Sequence, residues 1–235
     1  MIRRRALHAI PLAAMLVLAM SACQQVSVAS EVALPAPTMD APKAVGAGDQ
    51  TAVFAGGCFW GIEAVFEHVK GVRKATAGYS GGAADTAHYD LVSEGDTGHA
   101  ESVRVEFDPS RISYGQLLQV FFSVALNPTE LNRQGPDSGT QYRSVIFYAN
   151  AEQQKVASSY IAQLTAAKAF NAPIVTQVVP LKAFYPAEAY HQHYYQLHPD
   201  NPYIVFNDAP KVARLQQLFP GLYQPNQQIV EVQLH

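Results

Sequence analysis

Gly56-Gly57-Cys58-Phe59-Trp60-Gly61-Ile62-Glu63 decides how the rest of this 235-residue chain is read. It holds the single tryptophan of the sequence and one of its two cysteines. Upstream, Thr51-Ala52-Val53-Phe54-Ala55 is short and rich in strand formers. Downstream, Ile62, Val65, Phe66 and Val69 fall at helical spacing as far as Gly71, a C-terminal stop. Strand, glycine turn and helix therefore follow in that order, with Cys58 at or just before the helix N-terminus. Unpaired N–H groups and the helix dipole favour an anion there, so the thiol pKa is expected to fall. The alternative is an inert buried cysteine. The open Gly-Gly backbone beside Cys58 favours the reactive reading.

Before this stretch the chain carries a different signal. Arg3, Arg4 and Arg5 precede an apolar run from about Ala9 to Met20, followed by Ser21-Ala22. The order and size are those of a secretory signal, and the run is too short to span a membrane comfortably. Met20-Ser21-Ala22-Cys23 resembles a bacterial lipoprotein processing site, which would make Cys23 a lipidated N-terminus; a plain signal peptide cut near Ala22 or Ala29 is the alternative. Either way residues 1–22 are expected to be removed and the protein to act outside the cytoplasm, in the periplasm or at the outer membrane. Residues 23–50, with Pro35, Pro37, Pro42, Gly46 and Gly48, read as a flexible tether. The rest is one domain's worth of chain. A net charge of −3 without a basic stripe argues against a nucleic-acid partner.

Within the domain, Gly78-Tyr79-Ser80-Gly81-Gly82 reads as a glycine-dense loop. Val103, Val105 and Phe107 alternate on one face of a strand opened by Glu101. An inward carboxylate at a strand end is either a salt-bridged structural acid or a tuned catalytic one. Ser113 to Gln116 fits a capping box ahead of a core helix, and Asn127-Pro128 ends that helix. Residues 131–142 form a long polar loop, of the kind that is usually functional. Arg143 to Tyr148 reads as a strand, Asn150 caps a helix reaching about Lys168, and Ile174 to Leu181 is a further strand. His191 and His193 invite a zinc reading, but no recognisable ligand pair accompanies them, so no metal site is expected. No glycine-rich phosphate fingerprint follows the first strand, so no nucleotide cofactor is expected either. A cysteine hydrolase would need a histidine base and an oxyanion hole, and no pattern singles out His88, His99 or His191. Thiol redox chemistry needs only the thiolate and an acid.

Gly57-Cys58-Phe59-Trp60-Gly61 with Glu63, Gly78-Tyr79-Ser80-Gly81-Gly82, Gly98-His99-Ala100-Glu101, Asn132-Arg133-Gln134-Gly135 through Gly139-Thr140-Gln141-Tyr142-Arg143-Ser144, and Phe184-Tyr185-Pro186-Ala187-Glu188 occur in that order. Together they resemble the A-type methionine sulfoxide reductases, peptide-methionine (S)-S-oxide reductases. The resemblance runs from about Val53 to about Asp208. It implies an α+β fold: a single compact domain over residues 51–210, with a mixed β-sheet, flanking helices and a two-layer, ferredoxin-like core. Residues 211–235 would be a C-terminal extension. It further implies that Cys58 attacks the sulfoxide sulfur and that Glu101 protonates the oxygen. Tyr89 and Tyr142 would hydrogen-bond that oxygen, Asp137 would line the polar end, and Phe59 and Trp60 would form the slot for the substrate methyl. Ala125-Leu126-Asn127-Pro128-Thr129 stands where the family often has His-Asp before Pro-Thr, a difference read as structural. Many members carry C-terminal cysteines that resolve the sulfenic acid. This chain has none after Cys58, and Cys23 could reach across the tether only if it escaped lipidation, so the expected reductant is external, a thioredoxin-like protein or a small thiol. The expected substrates are methionine sulfoxide in proteins or free, acted on by a monomer without cofactor. A sulfoxide sensor that has lost turnover and a thiol peroxidase are the competing readings.

Overall fold

The computed structural model describes residues 32–41 and 48–225. The signal sequence, Cys23 and residues 226–235 lie outside the described residues. Gln50–Ala55 forms strand β1 and Phe59–Glu67 helix α1, with Cys58 in the N-cap position. Val72–Ser80 forms β2, Tyr89–Val92 the single-turn α2, and Ala100–Phe107 β3. Helix α3, Tyr114–Val120, starts on the expected capping box, with Ser113 and Gln116 capping each other's backbone. A π-helical turn over Phe121–Ala125 continues it. The long polar loop is partly ordered: Arg133–Gln134 (β4) and Asp137–Ser138 (β5) pair antiparallel, and Thr140–Tyr142 makes a 3₁₀ turn.

Strand β6 is Val145–Tyr148, and helix α4, Ala151–Ala166, is capped by the Asn150 side chain on the N–H of Gln153. Gln177–Pro180 (β7), Tyr185–Pro186 (β8) and the short α5, Tyr194–Leu197, follow. A π-helical turn over Ile204–Asp208 leads into α6, Ala209–Leu218.

The six-stranded sheet has the order β7-β6-β1-β3-β2-β8. Its β6–β7 pair is parallel and its other pairs are antiparallel, so the sheet is mixed. Because β3 runs antiparallel between β1 and β2, those two are parallel to each other and α1 is the crossover between them. This is the split β-α-β of a ferredoxin-like core. Alternation along β1 divides its residues between the two faces. Phe54 packs with Phe66, Tyr114 and Phe121 under the helices, while Val53 and Ala55 join Val145 and Phe147 on the opposite side. The fold is α+β, as expected. No described helix is long and apolar enough to cross a membrane.

Three expectations need correction. Gly78, Tyr79 and Ser80 belong to β2, not to a loop. Glycine is required within this strand because a β-carbon at position 78 would lie 2.4 Å from the Phe184 ring and 2.3 Å from the Tyr185 carbonyl oxygen. Residues 32–41, expected as free tether, lie along α3 and α4. Leu34 enters the core, Tyr160 donates to the Pro35 carbonyl at 2.8 Å, and Asp40 accepts the Gly115 N–H at 2.7 Å. The domain also continues past residue 210. Helix α6 straddles that boundary, and Val212, Leu215 and Phe219 are buried because their helical spacing turns them onto the core.

Candidate active site

Cys58 sits where the backbone turns from β1 into α1. Gly57 makes the turn at φ +97°, and a β-carbon there would lie 2.6 Å from the Gln134 side chain. At the helix start the Trp60 N–H bonds to the Cys58 sulfur and lowers its pKa, the effect expected from sequence. It does not win. Burial pushes the thiol well above its usual range, and the carboxyls of Glu101 and Asp208 add to the rise. Cys58 is therefore held as a thiol in a nearly closed site, not as the populated thiolate that the helix position suggested.

Glu101 reaches the same helix end from β3. Its Oε2 accepts the Phe59 N–H at 3.0 Å, and it is 2% exposed. Burial is the largest influence on this carboxyl, which is pushed up to about 8; the Phe59 N–H and a hydrogen bond with Cys58 pull the other way, and Asp137 pushes upward. It forms no salt bridge among the described residues, so the structural-acid alternative left open by the sequence loses its support. A buried carboxyl that titrates near neutrality beside a thiol can hold a proton and release it to a bound oxygen.

Aromatic rings line the surroundings. Phe59 packs on His191 with ring centres 5.0 Å apart, and Trp60 stacks on Tyr194 at 3.7 Å. Trp60 Nε1 donates to His191 Nδ1 at 3.2 Å. Tyr89 lies 4.5 Å from the His191 ring. Burial, then the charge of Glu101, holds the Tyr89 and Tyr142 phenols above their usual range, so both keep a proton to donate. Asp137, on β5, accepts a short hydrogen bond from the Tyr203 hydroxyl.

The family model for peptide methionine sulfoxide reductase matches residues 50–221. This chain is 64% identical over 176 residues to peptide methionine sulfoxide reductase MsrA 2 of Mesorhizobium japonicum, covering 75% of this chain and 90% of that one. It is 52% identical over 172 residues to the Synechocystis MsrA 2, covering 73% and 80% respectively. Its fold resembles reduced Mxr1 of Saccharomyces cerevisiae with a TM-score of 0.60 at 32% identity, over 66% of this chain and 88% of that one. The chain belongs to the A-type peptide methionine sulfoxide reductase family.

In this peptide methionine sulfoxide reductase, Cys58, Phe59 and Trp60 share the start of α1, and Glu101 meets them through the Phe59 N–H. The charges of Glu101 and Cys58 reach the phenols of Tyr89 and Tyr142, and the charge of Asp137 reaches Glu101. The remaining motif residues are braces. Glu188 accepts from the Tyr79 hydroxyl at 2.8 Å and the Tyr89 N–H at 3.0 Å. The His99 ring bridges the Gly82 N–H and the Ala83 carbonyl.

His191 and His193 diverge, the first toward Trp60 and the second toward Glu67. Glu63, Glu67 and His193 do bring one ligand atom each to within 4.8 Å of one another. These groups are occupied with protein partners: Glu63 accepts from the N–H groups of Ala77 and His193, and Glu67 bonds to His193 Nδ1 and Gln196.

Reading the sequence missed Tyr203, Asp208 and Lys211, all beside Cys58. Tyr203 and Lys211 line a cavity of about 200 Å³ together with Cys58 and Asp137. Asp208-Ala209-Pro210-Lys211 carries a helix-start signal in Pro210. Followed by Val212, Leu215 and Leu218 at helical spacing, it could have placed α6 inside the domain.

Proposed function

We propose that this enzyme reduces methionine-S-sulfoxide, free and in proteins, through a sulfenic acid on Cys58. The observation that carries the reading is the Phe59 N–H to Glu101 bond, which holds a buried acid at the end of the helix that bears the thiol. Glu101 gives its proton to the sulfoxide oxygen, to which Tyr89 and Tyr142 donate hydrogen bonds, as Cys58 attacks the sulfoxide sulfur; the carboxylate left on Glu101 takes up the thiol proton. The bond formed between the two sulfurs then breaks as the oxygen passes to Cys58, so the substrate sulfur is reduced to the thioether and Cys58 is oxidised to its sulfenic acid. Asp137 lines the polar end of the site. Phe59 and Trp60 receive the methyl group, and the other epimer would turn its oxygen into that apolar wall and leave it without a partner.

No cysteine follows Cys58 in the sequence. The sulfenic acid is therefore reduced by an external thiol, a thioredoxin-like protein or a small thiol: one thiol condenses with it and releases water, and a second frees Cys58 as a disulfide leaves. We place the reaction outside the cytoplasm, in the periplasm or at the outer membrane, with a monomer tethered by lipid on Cys23. Mass spectrometry of the mature N-terminus tests the anchor.

Incubating the protein with dithiothreitol and each sulfoxide epimer tests the chemistry. Consumption of the S epimer alone supports it, and consumption of neither overturns it. Turnover of hydroperoxides in place of sulfoxides would establish the peroxidase reading instead.

A further inference from the structure

Asp208 and Lys211 stand beside Cys58 and take no part in the chemistry above. Their carboxylate and ammonium pair at 3.2 Å across the start of α6, with the Asp208 side chain wholly buried. They press against α1 where it has no side chain. A β-carbon on Gly61 would lie 2.2 Å from Asp208 Oδ1 and 2.6 Å from Lys211 Nζ. Gly61 is in the first turn of the helix that Cys58 caps. The pair thus occupies the volume that a side chain would fill, three residues from the nucleophile.

Lys211 also lines the cavity that Cys58 lines, and its side chain keeps 24% of its exposure. Asp208 lies behind it, and its Oδ2 finds no hydrogen-bond partner among the described residues. Burying a carboxylate with one of its oxygens unsatisfied is a poor way to gain stability, because desolvation offsets the attraction of the pair. An arrangement that costs stability beside a reacting atom points to a role in the chemistry.

The charged groups around the sulfur come from three directions. Glu101 approaches from β3, Asp137 from β5, and Asp208 and Lys211 from the start of α6; the hydroxyls of Tyr89, Tyr142 and Tyr203 complete the ring. Lys211 is the cation in this set, and its charge opposes the larger effects of Glu101 and Asp208 on the thiol.

We propose that Lys211, fixed by Asp208 against the bare backbone of Gly61, is an electrostatic positioning residue that stabilises the anionic sulfur of Cys58. Asp208 sets where the ammonium stands, and Gly61 provides the room. The role rests on Cys58 being the attacking sulfur, which the turnover of Cys58→Ser tests separately.

The experiment is the pH profile of Cys58 alkylation by iodoacetamide in the full chain, read by mass spectrometry on the Cys58 peptide so that Cys23 does not contribute. It needs no turnover. Lys211→Gln should move the midpoint up by about one pH unit, a roughly tenfold loss of thiolate below the midpoint. Asp208→Asn should move it down, and Lys211→Arg should leave it in place. A purely structural role would not produce opposite shifts. An unmoved midpoint in Lys211→Gln, or shifts of the same sign in the two single variants, overturns the proposal. If Lys211→Gln does not fold, Asp208→Asn/Lys211→Gln is compared with Asp208→Asn alone. A higher midpoint in the double variant supports the role, and equal midpoints overturn it.

Discussion

The backbone N–H of Phe59 donates to Glu101 Oε2 at 3.0 Å, which ties a side chain of β3 to the first residue of the helix that Cys58 caps. The bond fixes the acid relative to the nucleophile without using the carboxyl's second oxygen. Gln at position 101 keeps an acceptor for Phe59 but has no proton to transfer. Glu101→Gln should therefore bind sulfoxide within a few-fold of the parent while methionine formation slows by about 10²-fold or more, the usual worth of a general acid. Cys58→Ser should not turn over. Single-turnover rates across pH are the check, and a Glu101→Gln enzyme as fast as the parent at every pH would remove Glu101 from the acid role.

The same carboxyl makes stability depend on pH. Its folded pKa is raised to about 8, against about 4.3 in an unfolded chain. The protonated form is the one the fold prefers. Its contribution is complete below about pH 4.3 and is lost as pH climbs to about 8. Gln carries no charge to desolvate. Urea denaturation should find Glu101→Gln close to the parent near the lower pH and more stable by a few kcal/mol above the upper one. A stability difference that does not change with pH would mean that the carboxyl is not perturbed.

Gly61 offers a third test. An alanine methyl would collide with a buried carboxylate and an ammonium that are paired with each other; the Lys211 end is flexible, but the Asp208 carboxylate is wholly buried and must be displaced against its packing. Gly61→Ala should lower stability by about 1–3 kcal/mol, despite alanine's higher helix propensity. Replacing Asp208 with alanine in the same chain should recover part of the loss. Thermal unfolding of the two variants measures both effects.

Much of this site was legible because the decisive residues sit next to elements with strong local signals. The run from Val53 to Val69 changes from strand to helix spacing around two glycines, and that alone places Cys58 at a helix start. Val103, Val105 and Phe107 put Glu101 on the inner face. Strand β2 was not legible, since Ala75, Ala77 and Gly78 are too small to read as strand formers and owe their places to α1 and Phe184. The ionisation state of Cys58 was also hidden, because it depends on how completely the fold excludes water and on carboxyls at positions 101 and 208. Lys211 escaped because a boundary drawn at residue 210 separated it from Asp208.

The segment before the domain supplies the last prediction. Leu34 N–H donates to Ser123 Oγ at 3.2 Å, and Gln119 Nε2 donates to the Leu34 carbonyl at 2.7 Å. Both partners lie on α3 and the π-helical turn that follows it, and that turn delivers Val124 and Ala125 to the wall of the Cys58 cavity. Asp40 accepts from the Gly115 N–H in the first turn of α3. A chain beginning at Pro42 should therefore be less stable than one beginning at Val32 by about 3 kcal/mol, the burial of one leucine plus one helix cap. Leu34→Ala should account for the larger share and Asp40→Ala for about 1 kcal/mol. Because the loosened turn borders the nucleophile, the shorter chain should also alkylate faster at Cys58 at a fixed pH. Equal stability of the two chains would mean that residues 32–41 rest on the domain without holding it.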